Sequence, residues 1–208
     1  MNKTTMSTIL MTVILSMGLS AFAQAKKTAK KEEPKAQNHK VTGGLKWTGY
    51  GVGKSHTGDL KIKSGTITTD GDKLTGGEII FDMNTISEEN KRLEGHLKSA
   101  DFFDVAKEGF ETSKFVIKKV EALKPAKAGD PTHKISGDLT IKGKTNPLDF
   151  TAIVTRDGAK WKATGDAEIK DRTKFDIVYN SKQFAPIAKL ADKAIEDNIT
   201  IKIDVASE

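Results

Sequence analysis

The chain has 208 residues, with 34 Lys and Arg against 28 Asp and Glu, and it contains no cysteine. That length suits one domain with a sizeable core, and the lack of cysteine excludes disulfides and thiolate chemistry. Six of the lysines lie between residues 24 and 40 against only Glu32 and Glu33, so the remainder is close to neutral, which argues against a nucleic-acid surface.

Residues 1–23 read as a secretory signal peptide. Lys3 supplies the positive start, residues 6–20 are uncharged and mostly apolar, and Ala21–Phe22–Ala23 offers an A-x-A cleavage site. The apolar run is too short and too rich in hydroxyls for a membrane span. The expected location is therefore the periplasm or the exterior. Residues 24–40, rich in Lys, Ala, Glu and Pro, cannot bury enough apolar surface to order themselves and read as a flexible linker. At most this segment predicts a transient contact with an anionic membrane surface.

From residue 41 the chain alternates apolar and polar residues with a period of two. Ile135, Gly137, Leu139 and Ile141 share one face and Ser136, Asp138, Thr140 and Lys142 the other. The same beat runs through Trp161, Ala163, Gly165, Ala167 and Ile169, and through Ile199, Ile201, Ile203 and Val205. Side chains on a strand point alternately to opposite faces, so each run has one dry and one wet face, as in antiparallel sheet. Eight strands are predicted, at 41–50, 57–69, 73–84, 112–121, 133–142, 147–156, 160–170 and 197–206. Turn signals at Asp70–Gly71–Asp72, Gly143–Lys144–Thr145–Asn146 and Asp157–Gly158 separate neighbours, and the last two link three strands by short hairpins.

Two segments break the beat. Residues 87–103 read as a helix with Ser87 able to cap it and Leu93 and Leu97 on one face; Phe102 and Phe103 follow, one expected beneath the helix and the other toward the mouth. Residues 181–195 read as a second helix with an apolar stripe from Ile187 to Ala194, interrupted by Pro186. Both are expected near one barrel mouth. The fold class is thus all-β, with a sandwich and a closed eight-stranded barrel as the two solutions that manage a long half-wet sheet; closure removes the edges.

Several motifs resemble the YceI-like family. They are Trp47–Thr48–Gly49 with His56–Thr57–Gly58, then Leu74–Thr75–Gly76–Gly77 and Phe81–Asp82–Met83–Asn84–Thr85–Ile86. Leu93–Glu94–Gly95–His96–Leu97 running into Asp101–Phe102–Phe103–Asp104–Val105 is the strongest block. Gly137–Asp138–Leu139–Thr140–Ile141 and Asp171–Arg172–Thr173–Lys174–Phe175 complete the order. Asp176 stands where the family usually has glycine before isoleucine. The resemblance implies an elongated, lipocalin-like barrel holding a polyisoprenoid, an isoprenoid quinone or a similar amphiphile, with no other cofactor.

On that reading the dry-face residues Trp47, Ile79, Phe81, Met83, Phe115, Ile117, Leu139, Phe150 and Trp161, with Phe102 and Phe103, are the candidate cavity lining. Gly137, Ala152, Ala163, Gly165 and Ala167 on inward faces are expected to leave space there or, alternatively, to relieve crowding where the barrel tapers. His56 and His96 lack metal-ligand spacing and are expected to make structural hydrogen bonds. Arg172 is expected to pair with an acid such as Asp101 or Asp104 and so anchor the crossing segment, with contact to a lipid headgroup as the alternative. No nucleophile motif or glycine-rich phosphate loop stands out, so no catalysis is expected. The expected protein is a monomer or homodimer that binds a lipid-like small molecule. A packed, ligand-free barrel serving stress protection or surface interaction is the alternative, and a lipid hydrolase or isomerase the third reading.

Overall fold

Eight antiparallel strands pair in chain order and the first closes on the last: β1 Ala36–Gly51, β2 Lys54–Asp70, β3 Lys73–Asp82, β4 Thr112–Ala122, β5 His133–Ile141, β6 Lys144–Asp157, β7 Lys160–Ile169 and β8 Ile195–Ser207. The computed structural model describes residues 36–208, apart from the side chains at 187, 188 and 191. The signal peptide expected at 1–23 and residues 24–35 of the expected linker lie outside the described residues. The β1–β8 ladder, from Val41 opposite Ser207 to Gly51 opposite Ile195, leaves no free sheet edge.

The inner wall follows the period-two beat. On β5, Ile135, Gly137, Leu139 and Ile141 are buried; on β7, Trp161, Ala167 and Ile169 are. Outward acids join lysines on neighbouring strands, as in Lys118–Asp138 at 3.4 Å and Lys134–Asp149 at 3.6 Å.

Strand bounds depart from the sequence reading at several places, among them the start of β2 at Lys54, three residues early, and of β6 at Lys144, within the expected turn at Gly143–Lys144–Thr145–Asn146. β1 begins at Ala36, because Ala36–Lys40 pair with Thr66–Asp70 of the long β2. The polar run disguised a strand whose order comes from the ladder and from contacts such as His39 Nε2 with Thr69 Oγ1 at 3.1 Å. Residues 36–40 are therefore barrel, not linker. At the other end of the chain β8 starts at Ile195, two residues early, where Ile195 meets Gly51.

Both helical expectations shrink. The first helix is only α1, Lys91–Lys98, and Asn90 caps it, its Oδ1 accepting from the N–H of Arg92 and of Leu93. Ser87 is occupied elsewhere: its N–H donates to the Asp59 carbonyl at 3.0 Å, and its Oγ accepts from the Asp59 N–H at 3.1 Å. The second is a single turn, α2 Ile187–Leu190, followed by a 3-10 turn, Ala191–Lys193. Pro186 has no N–H to continue a helix from the preceding loop, and its carbonyl accepts from both Lys189 and Leu190. Another 3-10 turn, Met83–Thr85, takes Met83 off the end of β3, with Asp82 capping it.

The long connections, 83–111 and 170–194, both emerge at the end of the barrel where β1, β3 and β7 finish. This is the helical mouth, and β1 departs from the opposite end.

Candidate functional site

Two adjoining cavities occupy the barrel. The mouth cavity has a volume of about 350 Å³, and the deep chamber, near the opposite end, about 100 Å³. Leu45, Phe81, Leu139 and Ile201 border both, so they form a shared waist. The deep chamber is lined almost wholly by apolar side chains, with Trp161 and Val41 buried at its end.

All eleven candidate residues border one or other space. Trp47, Met83, Phe102 and Phe103 line the mouth cavity; Ile79, Phe115, Ile117, Phe150 and Trp161 line the deep chamber; Phe81 and Leu139 line both. Phe102 is buried and Phe103 half-buried, yet both face the mouth cavity. Phe102 packs against His96 of α1, as one of the pair was expected to do, but it lines the mouth cavity along with Phe103. The backbone leaves helical geometry after Ser99, with Asp104 at φ 51°, so the two rings need not diverge as they would on a regular element.

Leu45, Ile199 and Ile201 also line the cavities and lay on inward faces legible from the alternation. Ile177 and Tyr179 do so too, but they sit on the irregular crossing segment, where no periodicity pointed to them.

The inward small residues divide into two groups. Ala163 and Ala167 border the deep chamber. Gly137 and Gly165 do not leave space: a Cβ on Gly137 would stand 2.6 Å from Phe115 Cζ, and one on Gly165 would stand 2.6 Å from the Thr151 carbonyl oxygen. Their strands and neighbours approach too closely for any side chain. Ala152 is buried and borders neither cavity.

Polar groups gather at the mouth and are mostly engaged. His56 Nδ1 lies 3.1 Å from Glu88 Oε1, and His96 Nε2 lies 3.1 Å from Asp101 Oδ2. The His96 ring also stands edge-on to Phe102 at 5.1 Å and to Tyr179 at 4.7 Å, which fastens one long connection to the other. Tyr50 Oη is 2.9 Å from Thr200 Oγ1.

Arg172 is 2% exposed and does not reach Asp101 or Asp104 as expected. Its guanidinium donates to the carbonyls of Ile177 at 2.7 Å, Tyr179 at 2.9 Å, Glu196 at 3.1 Å and Ile195 at 3.2 Å, and Asp197 Oδ1 lies 3.4 Å away. The planar fork thus ties the crossing segment to the start of β8. Burial lowers the Arg172 pKa, while Asp197 and Asp171 raise it. Asp171 caps the 3-10 turn Arg172–Phe175. The Thr173 hydroxyl and N–H that donate to its carboxylate hold that carboxyl below its ordinary value. Asp176 closes the turn at φ 61°, in the left-handed region where glycine is at ease and Asp is among the tolerated exceptions.

Among the described residues no group of three or more His, Cys, Asp or Glu is placed to hold a metal ion, and no helix is long and apolar enough to cross a membrane. The arrangement can enclose an apolar chain and present hydrogen-bonding groups around its entrance.

Known proteins share this architecture. The barrel resembles BcnA of Burkholderia cenocepacia, with a TM-score of 0.62 at 19% identity over 81% of this chain and 96% of that one. It also resembles a polyisoprenoid-binding domain of Saccharophagus degradans implicated in plant cell wall breakdown, with a TM-score of 0.61 at 12% identity over 83% of this chain and 99% of that one. Among curated sequences, a UPF0312 protein of Pseudomonas fluorescens strain SBW25 is 34% identical and one of Pseudomonas putida strain W619 is 33% identical, each over 103 residues. Those matches cover 49% of this chain, and the chain spans about half the length of the curated relatives it matches. Residues 28–207 match the YceI-like domain, and the chain belongs to the YceI-like family.

Proposed function

We propose that the protein binds one long apolar molecule, a polyisoprenoid, an isoprenoid quinone or a similar amphiphile, and carries or shields it in the barrel without chemically altering it. The observation that carries this reading is the apolar interior: a mouth cavity and a deep chamber that adjoin, with Leu45, Phe81, Leu139 and Ile201 lining both. The mouth cavity alone falls at the lower end of the 300–1,000 Å³ common for small-molecule sites, about 350 Å³. Each methylene moved from water into such a lining gains roughly 0.8 kcal/mol, so a chain of modest length binds firmly without a polar contact. The neighbouring fold from Saccharophagus degradans, described as a polyisoprenoid-binding domain, supports the chemical class.

The candidate lining residues supply the walls in this reading, and the polar groups at the mouth meet the headgroup. The signal-like residues 1–23 support export to the periplasm or beyond, where a water-insoluble chain needs cover between membranes. Organic extraction of gently purified protein followed by mass spectrometry tests the proposal. A stoichiometric prenyl-type lipid is expected; repeated preparations with none, together with no uptake of an added prenyl alcohol, would overturn it.

A further inference from the structure

Among the described residues three large hydrophobic side chains stand exposed: Phe184 at 61%, Val52 at 49% and Leu123 at 39%. Phe184 and Val52 belong to different segments of the same mouth rim, whereas Leu123 stands at the opposite end, after β4. The β1–β2 hairpin carrying Val52 abuts the segment carrying Phe184. Gly51 pairs with Ile195, and a Cβ on Gly51 would lie 3.4 Å from the Ala194 carbonyl oxygen. Ser181, which the Phe184 N–H bonds at 3.1 Å, forms a bridge to the same Ile195.

Around these two apolar tips lie the exposed Lys54, Lys182, Lys189 and Lys193. Lys182 pairs with Glu196 at the start of β8, and Asp192 is the one acid on residues 51–54 and 181–194, so Lys54, Lys189 and Lys193 supply the positive excess of the rim. Lys54 and Lys193 also border the mouth cavity. Lone exposed hydrophobics are ordinary on a protein surface. Two on converging loops, ringed by lysines and set at the entrance of an apolar cavity, have the chemistry of an interfacial anchor.

We infer that this rim, residues 51–54 and 181–194, is a docking face for an anionic lipid bilayer: Val52 and Phe184 enter the headgroup boundary and the lysines meet anionic lipid. The inference rests on the cargo reading for its purpose. A mouth set against a bilayer lets an apolar chain pass between membrane and barrel without crossing water. The docking itself is a separate physical property.

The cysteine-free chain allows a single-site test. The full chain is labelled with an environment-sensitive nitrobenzoxadiazole dye at Val52→Cys on the rim or at Asp157→Cys in the β6–β7 hairpin of the opposite end. Each is mixed with phosphatidylcholine vesicles containing phosphatidylglycerol whose acyl chains are brominated. The label at 52 should shift to the blue and be quenched, and the label at 157 should not. Phe184→Ser should diminish quenching at 52. Lys189→Gln with Lys193→Gln should weaken partitioning at low salt on the order of tenfold. Equal quenching at 52 and 157, no quenching at 52, or no response to the Phe184 and lysine substitutions would overturn the inference. Docking with no extractable lipid would retain this face and remove the cargo; a bound lipid with no quenching would do the reverse.

Discussion

The ring of Phe115 fills the space a side chain on Gly137 would need, with Cζ 2.6 Å from the position of its Cβ. β4 and β5 are in register here, Phe115 opposite Leu139 and Ile117 opposite Gly137, so the ring leans diagonally across the glycine. Gly137→Ala should destabilise the barrel by about 1–3 kcal/mol through overpacking, read from the urea midpoint at constant m-value. An unchanged midpoint would mean that both the ring and the backbone carbonyl of Val116, which stands nearer still to that position, yield at no cost.

Ala163 behaves differently because it borders the deep chamber. Ala163→Phe should fold, occupy much of that space, and lower affinity for long prenyl alcohols while leaving short ones little affected. Titration of a chain-length series by quenching of tryptophan fluorescence measures this. Equal losses at every length would place the bound chain outside the deep chamber.

Arg172→Met should cost about 3–5 kcal/mol, since it strips four carbonyls and Asp197 of their buried partner. Arg172→Lys should recover little, because a single ammonium cannot reproduce the fork. Chemical denaturation of the three proteins decides the point; full recovery by lysine would show that charge alone matters.

Asp176 holds the left-handed position at the end of its 3-10 turn. Asp176→Gly should be neutral or stabilising by up to about 1 kcal/mol, whereas Asp176→Val should lose about 1–2 kcal/mol. Thermal unfolding of the pair, in opposite directions from the parent, is the expected result.

Glu94 on α1 has its carboxyl lowered from 4.5 to about 2 by hydrogen bonds from Lys91 and Lys98 and from the Glu88 N–H. A depressed folded pKa stabilises the native state fully above the unfolded value near 4.5 and fades as pH falls toward 2. A carboxyl-detected NMR titration should give a Glu94 midpoint near 2 in the parent and a higher one in Lys98→Gln. A midpoint near 4.5 in the parent would remove the lysines from the account.

Local alternation determined a great deal. Trp161, Ala163, Ala167 and Ile169, read on one face of a strand, do face the interior, and eight such runs, several of them joined by short hairpins, describe an antiparallel meander. The strand members of the candidate lining rest on the same parity rule, because a strand's inward set is legible wherever its period is intact; Phe102 and Phe103 lie outside any strand. Where the period lapses, sequence had little to offer: Ile177, Tyr179 and the four carbonyls around Arg172 come together only once the crossing segment folds over the start of β8. The polar Ala36–Lys40 became strand because β2 was long enough to pair with it. Small inward residues were equally ambiguous, since a missing side chain leaves either a void, as beside Ala163, or a close approach, as at Gly137. Pattern within a segment is set by neighbours along the chain, but ladder register, barrel closure and the volume left inside are set by partners far away in sequence, and only the tertiary structure decides those.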